Sequence, residues 1–216
     1  MSSFVWMKVL ESTPERYDRG VRMLSRGRIA AVYERIAEIA AAPGRRVLDV
    51  GTGTGAVALA CAARGADVMA IDIDAGMLEM ARQKADSRRT DIQWKQASAA
   101  EIEDVVPERS LDAVVSCLAF SELSQDEQSY ALRVARTRLV TGGVLVIADE
   151  AKPEGARGAL HELARLPLAA ATYLLTQTTT RPVKGLVERV REAGFVDVRE
   201  ERRWGGSFVI VEGRAP

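Results

Sequence analysis

Apolar positions along this chain follow two alternating rhythms. Ile29, Val32, Ile36 and Ile39 recur at helical spacing, and Pro43-Gly44 ends that stretch. Strands are predicted near 46–50, 67–72, 92–96, 112–117 and 143–149, with helices near 55–64, 75–88 and 126–140 between them. Ser124 to Glu127 has capping-box spacing and opens the last of these helices. Gly142-Gly143 is expected to close it before Val144-Leu145-Val146-Ile147, an apolar run suited to a strand buried on both faces. The alternation breaks over 151–181, where roughly 156–176 reads as one long helix. Val183, Leu186, Val187 and Val190 predict a further amphipathic helix ended by Gly194. Phe195–Arg203 and Ser207–Glu212, joined through Gly205-Gly206, read as a β-hairpin. Together these elements predict an α/β fold: a mostly parallel sheet, helices on both faces, and an antiparallel edge strand.

A length of 216 residues suits one α/β domain with a small appended layer. Thirty basic residues balance thirty acidic ones, so the broad positive field on which nucleic-acid binding relies is missing. Arg88-Arg89 and Arg202-Arg203, the densest basic pairs, read as solvated helix or strand ends. Two cysteines, Cys61 and Cys117, make no disulfide framework and read as free thiols in a reducing cytosol, so a cytoplasmic location is expected. The N-terminus lacks a signal-peptide layout. The apolar run Leu166 to Leu175 contains Pro167 and is too short to span a bilayer. With a single histidine, His161, read as a surface or packing residue, and no cysteine cluster, neither zinc nor iron is expected.

The candidate chemistry lies in Val47-Leu48-Asp49-Val50-Gly51-Thr52-Gly53-Thr54-Gly55: a buried strand, an acidic residue, then a glycine-rich turn opening a helix at Ala56. Such a turn presents bare backbone amides at the mouth of a parallel sheet. Asp72 ends the next apolar run, where a carboxylate can accept hydrogen bonds from both hydroxyls of a ribose. A nucleoside-bearing cofactor is thus expected. Gly51, Gly53 and Ala56 satisfy the looser dinucleotide pattern. Asp49, however, would repel a pyrophosphate and attract the cationic end of S-adenosylmethionine (SAM), which carries no phosphate. The lack of a Tyr-x-x-x-Lys pair also speaks against a nicotinamide-dependent oxidoreductase, since Tyr130 and Tyr173 are followed four residues later by Val134 and Gln177.

Five segments in order resemble the class I SAM-dependent methyltransferases. VLDVGTGTG looks like their first motif, and IDID (Ile71–Asp74) is similar to the second, in which Asp72 would hold the ribose. Gln96-Ala97-Ser98-Ala99 falls near the adenine, with Ser98 where the family usually has an acid. Ser110–Leu123 resembles the fourth-strand segment and Leu139–Asp149 the fifth, with threonine where proline is common. The resemblance implies a Rossmann-like, seven-stranded, mostly parallel sheet with an antiparallel C-terminal hairpin strand. It implies one domain: an N-terminal helical lid (1–44), a SAM-binding core (45–150), a helical insertion over the acceptor site (151–181), and a C-terminal helix and hairpin (182–216). It also implies cofactor contacts from Asp49, Gly51, Thr52, Gly53, Gly55, Asp72, Ile73, Met77, Ser98, Ala99, Cys117 and Leu118. Residues Phe4 to Gly20 are similar to methyltransferases associated with corrinoid methyl carriers, which implies a cobalamin-linked pathway as a setting.

On the acceptor side, Tyr17, Phe120 and Glu122 are the candidates. Tyr17 would close over the site from the lid. Glu122 would act as a base or hold a cationic acceptor, unless it is only a helix-start charge. Met77 either covers the adenine or packs in the core. Cys117 has nothing near it in sequence to lower its pKa and is not expected to be a nucleophile. Methyl transfer from a sulfonium needs alignment more than acid–base help, so no base can be named and the acceptor is a small molecule or a protein-bound cofactor. Three other readings stand beside it: a SAM-binding accessory protein without turnover, a nicotinamide-dependent oxidoreductase, and a polyamine synthase using decarboxylated SAM. The last would need an acidic amine site that the sequence does not show. Oligomeric state is not legible.

Overall fold

The computed structural model describes residues 18, 21–22, 25–151 and 182–216. Tyr17, His161 and the helical stretch expected over 156–176 lie outside them.

Helix α1 (Ile29–Ala40) precedes strand β1 (Arg46–Val50), helix α2 (Ala56–Ala62), strand β2 (Asp67–Asp72) and helix α3 (Ala75–Arg88). Strand β3 (Gln93–Gln96), helix α4 (Ile102–Val105), strand β4 (Leu111–Cys117), helix α5 (Gln125–Arg138) and strand β5 (Leu139–Glu150) follow. Helix α6 (Leu186–Glu192) and strands β6 (Val196–Arg203) and β7 (Phe208–Arg214) come last. The sheet has seven strands in the order β3-β2-β1-β4-β5-β7-β6. Strands β1 to β5 pair in parallel, whereas β7 runs antiparallel to both its neighbours. The reversed strand is therefore not at the edge, as the hairpin suggested. It is inserted between β5 and β6, and β6 forms the edge.

Alternate residues of each strand feed two cores. Val47, Val68, Ala70, Ala113, Val115, Val144 and Val146 pack with α1 and α2 on one face. Leu48, Ile71, Val114, Leu145 and Ile147 pack with α4, α5 and α6 on the other. Both faces of the central strands are thus dry, which is why their middles, 113–115 in β4 and 144–148 in β5, read as apolar runs.

Two boundaries differ from the pattern. Gly142-Gly143 do not end α5, because the helix stops at Arg138 and Leu139 is already extended beside Leu111. The glycines lie inside β5, where the Gly142 amide donates to the Ala215 carbonyl and the Ala215 amide to the Gly143 carbonyl, at 2.8 and 2.9 Å. Val183 is not helical. It bridges in parallel to Ala151, its amide donates to the Glu150 carbonyl, and α6 starts three residues later. Among the described residues no helix is long and apolar enough to cross a membrane.

Candidate active site

The order β2-β1-β4 reverses the chain's progress across the sheet at β1 and β4, and a crevice opens beyond their C-terminal ends. It has a volume of about 500 Å³. Asp49, Gly51, Thr52, Gly53, Asp72, Ile73, Met77, Ser98, Ala99, Cys117, Leu118, Phe120 and Glu122 all line it. Tyr33, Thr54, Asp74, Ala119, Leu123 and Glu127 line it too, and sequence reading had not singled them out.

The glycine turn is held by Asp72. Its Oδ2 accepts from the Gly53 amide at 2.7 Å, and its Oδ1 accepts from the Asp74 amide at 2.9 Å. Each oxygen keeps a second lone pair for an incoming hydroxyl. Burial pushes the Asp72 carboxyl above its ordinary range, against the pull of those amides. Gly51 has φ +67°, and a Cβ there would stand 2.4 Å from the Ala119 side chain, so the turn after β1 and the turn after β4 touch through a bare backbone. Gly55 does not line the crevice. It precedes α2 in a left-handed conformation, and the Trp94 ring leaves no room for a side chain there.

Asp49 forms part of the wall beneath. It is 1% exposed. Its Oδ2 accepts from the Thr52 hydroxyl at 2.7 Å, while its Oδ1 has no hydrogen-bond partner. Burial pushes its carboxyl up to about 7, with Thr52 and the Ala58 amide drawing it partly back and the charge of Asp72 adding to the rise. A buried carboxylate oxygen without a donor is costly, and an ammonium group entering the crevice would satisfy it.

Beside Asp72, Asp74 caps α3 by accepting from the Gly76 and Met77 amides, which seats Met77 against the crevice. Ile73 is 73% exposed at the rim, its carbonyl taking a hydrogen bond from the Gln96 side chain. Ser98 is fixed by a carboxylate three residues later that does not itself line the crevice. Glu101 accepts from both the amide and the hydroxyl of Ser98, each at 2.7 Å, in a capping box that the sequence reading overlooked.

Beyond β4, Leu118 has φ +62° and its amide donates to the Ala148 carbonyl, which turns the chain into the short 3-10 turn Phe120–Glu122. Cys117 ends β4. Burial, then the charges of Asp149 and Asp49, push its thiol well up, so it stays protonated and is no nucleophile. Among the described residues no group of three or more His, Cys, Asp or Glu side chains converges as a metal site.

Electrostatics decide the class of ligand. Among the described residues lining the crevice, Asp49, Asp72, Asp74, Glu122 and Glu127 carry carboxylates and none carries a basic group. A pyrophosphate would meet these carboxylates with no basic side chain to offset them, whereas a ligand bearing an ammonium and a sulfonium is attracted.

Comparison with known proteins agrees. Residues 47–143 match the family described as "Methyltransferase domain". The chain is 33% identical over 210 residues to the demethylmenaquinone methyltransferase of Deinococcus radiodurans, covering 87% of this chain and 83% of that protein. It is 30% identical over 218 residues to a ubiquinone/menaquinone biosynthesis C-methyltransferase of Syntrophotalea carbinolica, covering 92% and 89%. In fold it resembles a SAM-dependent methyltransferase from Aquifex aeolicus, with TM-score 0.61 at 19% identity over 85% of this chain and 88% of that one. The corrinoid setting implied by the N-terminal run gains no support from these relatives. The chain belongs to the class I SAM-dependent methyltransferases, and it is an enzyme whose cofactor is SAM.

Proposed function

We propose that this enzyme methylates a ring carbon of a small, uncharged hydroquinone. The observation that carries the reading is the near full-length similarity to relatives named for demethylmenaquinone and for ubiquinone/menaquinone C-methylation. The crevice is compatible with it: Leu118, Phe120 and Leu123 offer apolar walls on the side of β4.

In this reading Asp49 receives the ammonium of SAM, and the amides of the Gly51–Gly53 turn together with Cys117 and Leu118 surround its methionine part. Asp72 takes the ribose hydroxyls. Ile73 and Met77 flank the adenine, whose edge meets Ser98 and Ala99. Bound SAM supplies an electrophilic methyl on a sulfonium. Phe120 packs against the acceptor ring. Glu122 accepts the proton of the ring hydroxyl, which raises electron density at the adjacent carbon. With SAM bound, that carbon would be the nucleophile toward its methyl, and S-adenosylhomocysteine the leaving group that keeps the electron pair. The proton on the methylated carbon then leaves to water and restores aromaticity.

The test is anaerobic incubation of the purified enzyme with methyl-labelled SAM and a prenylated 1,4-naphthoquinol, analysed by mass spectrometry. A product one methylene heavier, formed in step with S-adenosylhomocysteine, is expected. Turnover with thiols, amines or a reduced corrinoid but not with the quinol overturns the acceptor assignment.

A further inference from the structure

The turn after β4 is gripped by two buried polar side chains that lie outside the crevice. Gln128, on the first turns of α5, is 5% exposed. Its Nε2 donates to the Phe120 carbonyl at 2.7 Å and to the Leu123 carbonyl at 3.0 Å. Asp149, near the end of β5, is fully buried. Its Oδ2 accepts from the Ser121 amide at 2.9 Å and its Oδ1 from the Glu150 amide at 2.7 Å. The grips come from two elements and take three backbone groups of one short turn, the Phe120 and Leu123 carbonyls and the Ser121 amide. On its other side the turn abuts Gly51 through Ala119. A glutamine on the apolar stripe of a helix and an aspartate in the middle of a sheet are expensive to bury without a specific partner. Here Gln128 gives both of its amino hydrogen bonds, and Asp149 one of its two, to the same four-residue segment.

We infer that Gln128 and Asp149 are positioning residues of the methyl transfer: they fix the Phe120–Leu123 turn, and with it the Phe120 and Glu122 side chains, at the acceptor end of the crevice. The inference rests on the reading that this turn faces the acceptor. Neither residue lines the crevice, so neither touches the cofactor. Their removal therefore separates two quantities that simple loss of fold would change together. Affinity for SAM depends on the Asp49–Asp72 side of the crevice and survives. Alignment of acceptor and methyl, which is sensitive to displacements of about 1 Å, suffers.

The experiment compares the wild-type chain with Gln128→Leu and Asp149→Asn. It measures SAM affinity by calorimetry, turnover of the prenylated 1,4-naphthoquinol, and amide hydrogen exchange of peptides covering 118–124 and 49–56. For Gln128→Leu the SAM Kd is expected within about twofold of wild type. The kcat is expected to fall about tenfold or more, because the variant gives up both hydrogen bonds to the turn. Exchange should accelerate in 118–124 and stay unchanged in 49–56. Asp149→Asn, which keeps an oxygen for the Ser121 amide, should fall between the two. Should Gln128→Leu not purify folded, Gln128→Met preserves the side-chain length and replaces it. Unchanged exchange in 118–124 overturns the inference. So does loosened exchange with unchanged kcat and KM, or an equal loss of SAM affinity and turnover. If the wild-type enzyme does not methylate the naphthoquinol, the acceptor assignment fails and exchange with SAM affinity decides the clamp alone. Faster exchange confined to 118–124 with SAM affinity kept then supports it, and any other result overturns it.

Discussion

Asp49 carries opposing demands. Its carboxyl is buried, one oxygen lacks a donor, and its pKa lies near 7. An acid whose folded pKa stands above its unfolded value of about 3.9 favours folding at low pH. That contribution is complete below pH 4 and is lost as pH rises through 7, a difference on the order of 4 kcal/mol. Asp149, with burial pushing it up to about 6, works in the same direction. Cofactor binding has the opposite sign, because a cationic ligand wants the ionised form. SAM affinity is therefore expected to climb between pH 6 and 7.5, while the melting temperature of the free protein falls over the same range. Asp49→Asn should flatten the affinity profile, weaken SAM binding at pH 8 by tenfold or more, and raise the melting temperature at that pH. Calorimetry and thermal scans at three pH values read all of this; an unaltered profile in the variant would remove Asp49 from the ammonium site.

Helix α5 shows where reading by pattern stops. Its start was legible: Ser124 accepts from the Glu127 amide and Glu127 from the Ser124 amide, as the spacing predicts. The grip of Gln128 on the neighbouring turn was not, although a signal existed. Gln128 stands on the stripe Gln128, Ala131, Leu132 and Ala135, all buried, so a polar residue occupies a core-facing position. The glycine turn, Asp49 and Asp72 could be found because each ends a strand in a recognisable motif. Gln128 lies only 5 and 8 residues from the carbonyls it holds but belongs to no such motif, and Asp149 meets Ser121, 28 residues away, only through the packing of β4 and β5. The β5 glycines misled for the same reason, since their partner is Ala215 across the sheet. Ser124→Ala removes the cap at the end of α5 nearest the acceptor turn. It should cost about 1 kcal/mol, seen as a melting temperature lower by about 2–4 °C, with SAM affinity unchanged in the same samples.

At the scale of the molecule, the sheet divides labour: β1, β2 and β4 end in the crevice, and the hairpin closes the far side. That hairpin also constrains how the chain can assemble. Strand β6 precedes β7 in the chain but lies outside it in the sheet, so β6 has no edge to join until β7 is in place. The flank of β5 stays open until then, and the two strands are best delivered as one unit. Their connection, Trp204–Gly206, becomes a kinetic control point far from the chemistry. Gly205 has φ +70° with open space around it, so a side chain there meets backbone strain and no clash. Gly205→Val should slow refolding from denaturant while leaving methyl transfer by the folded enzyme intact, a difference that stopped-flow fluorescence and an endpoint assay would resolve. What the docked hairpin changes is which edge other chains meet: the apolar flank of β5 is replaced by the charged strand β6.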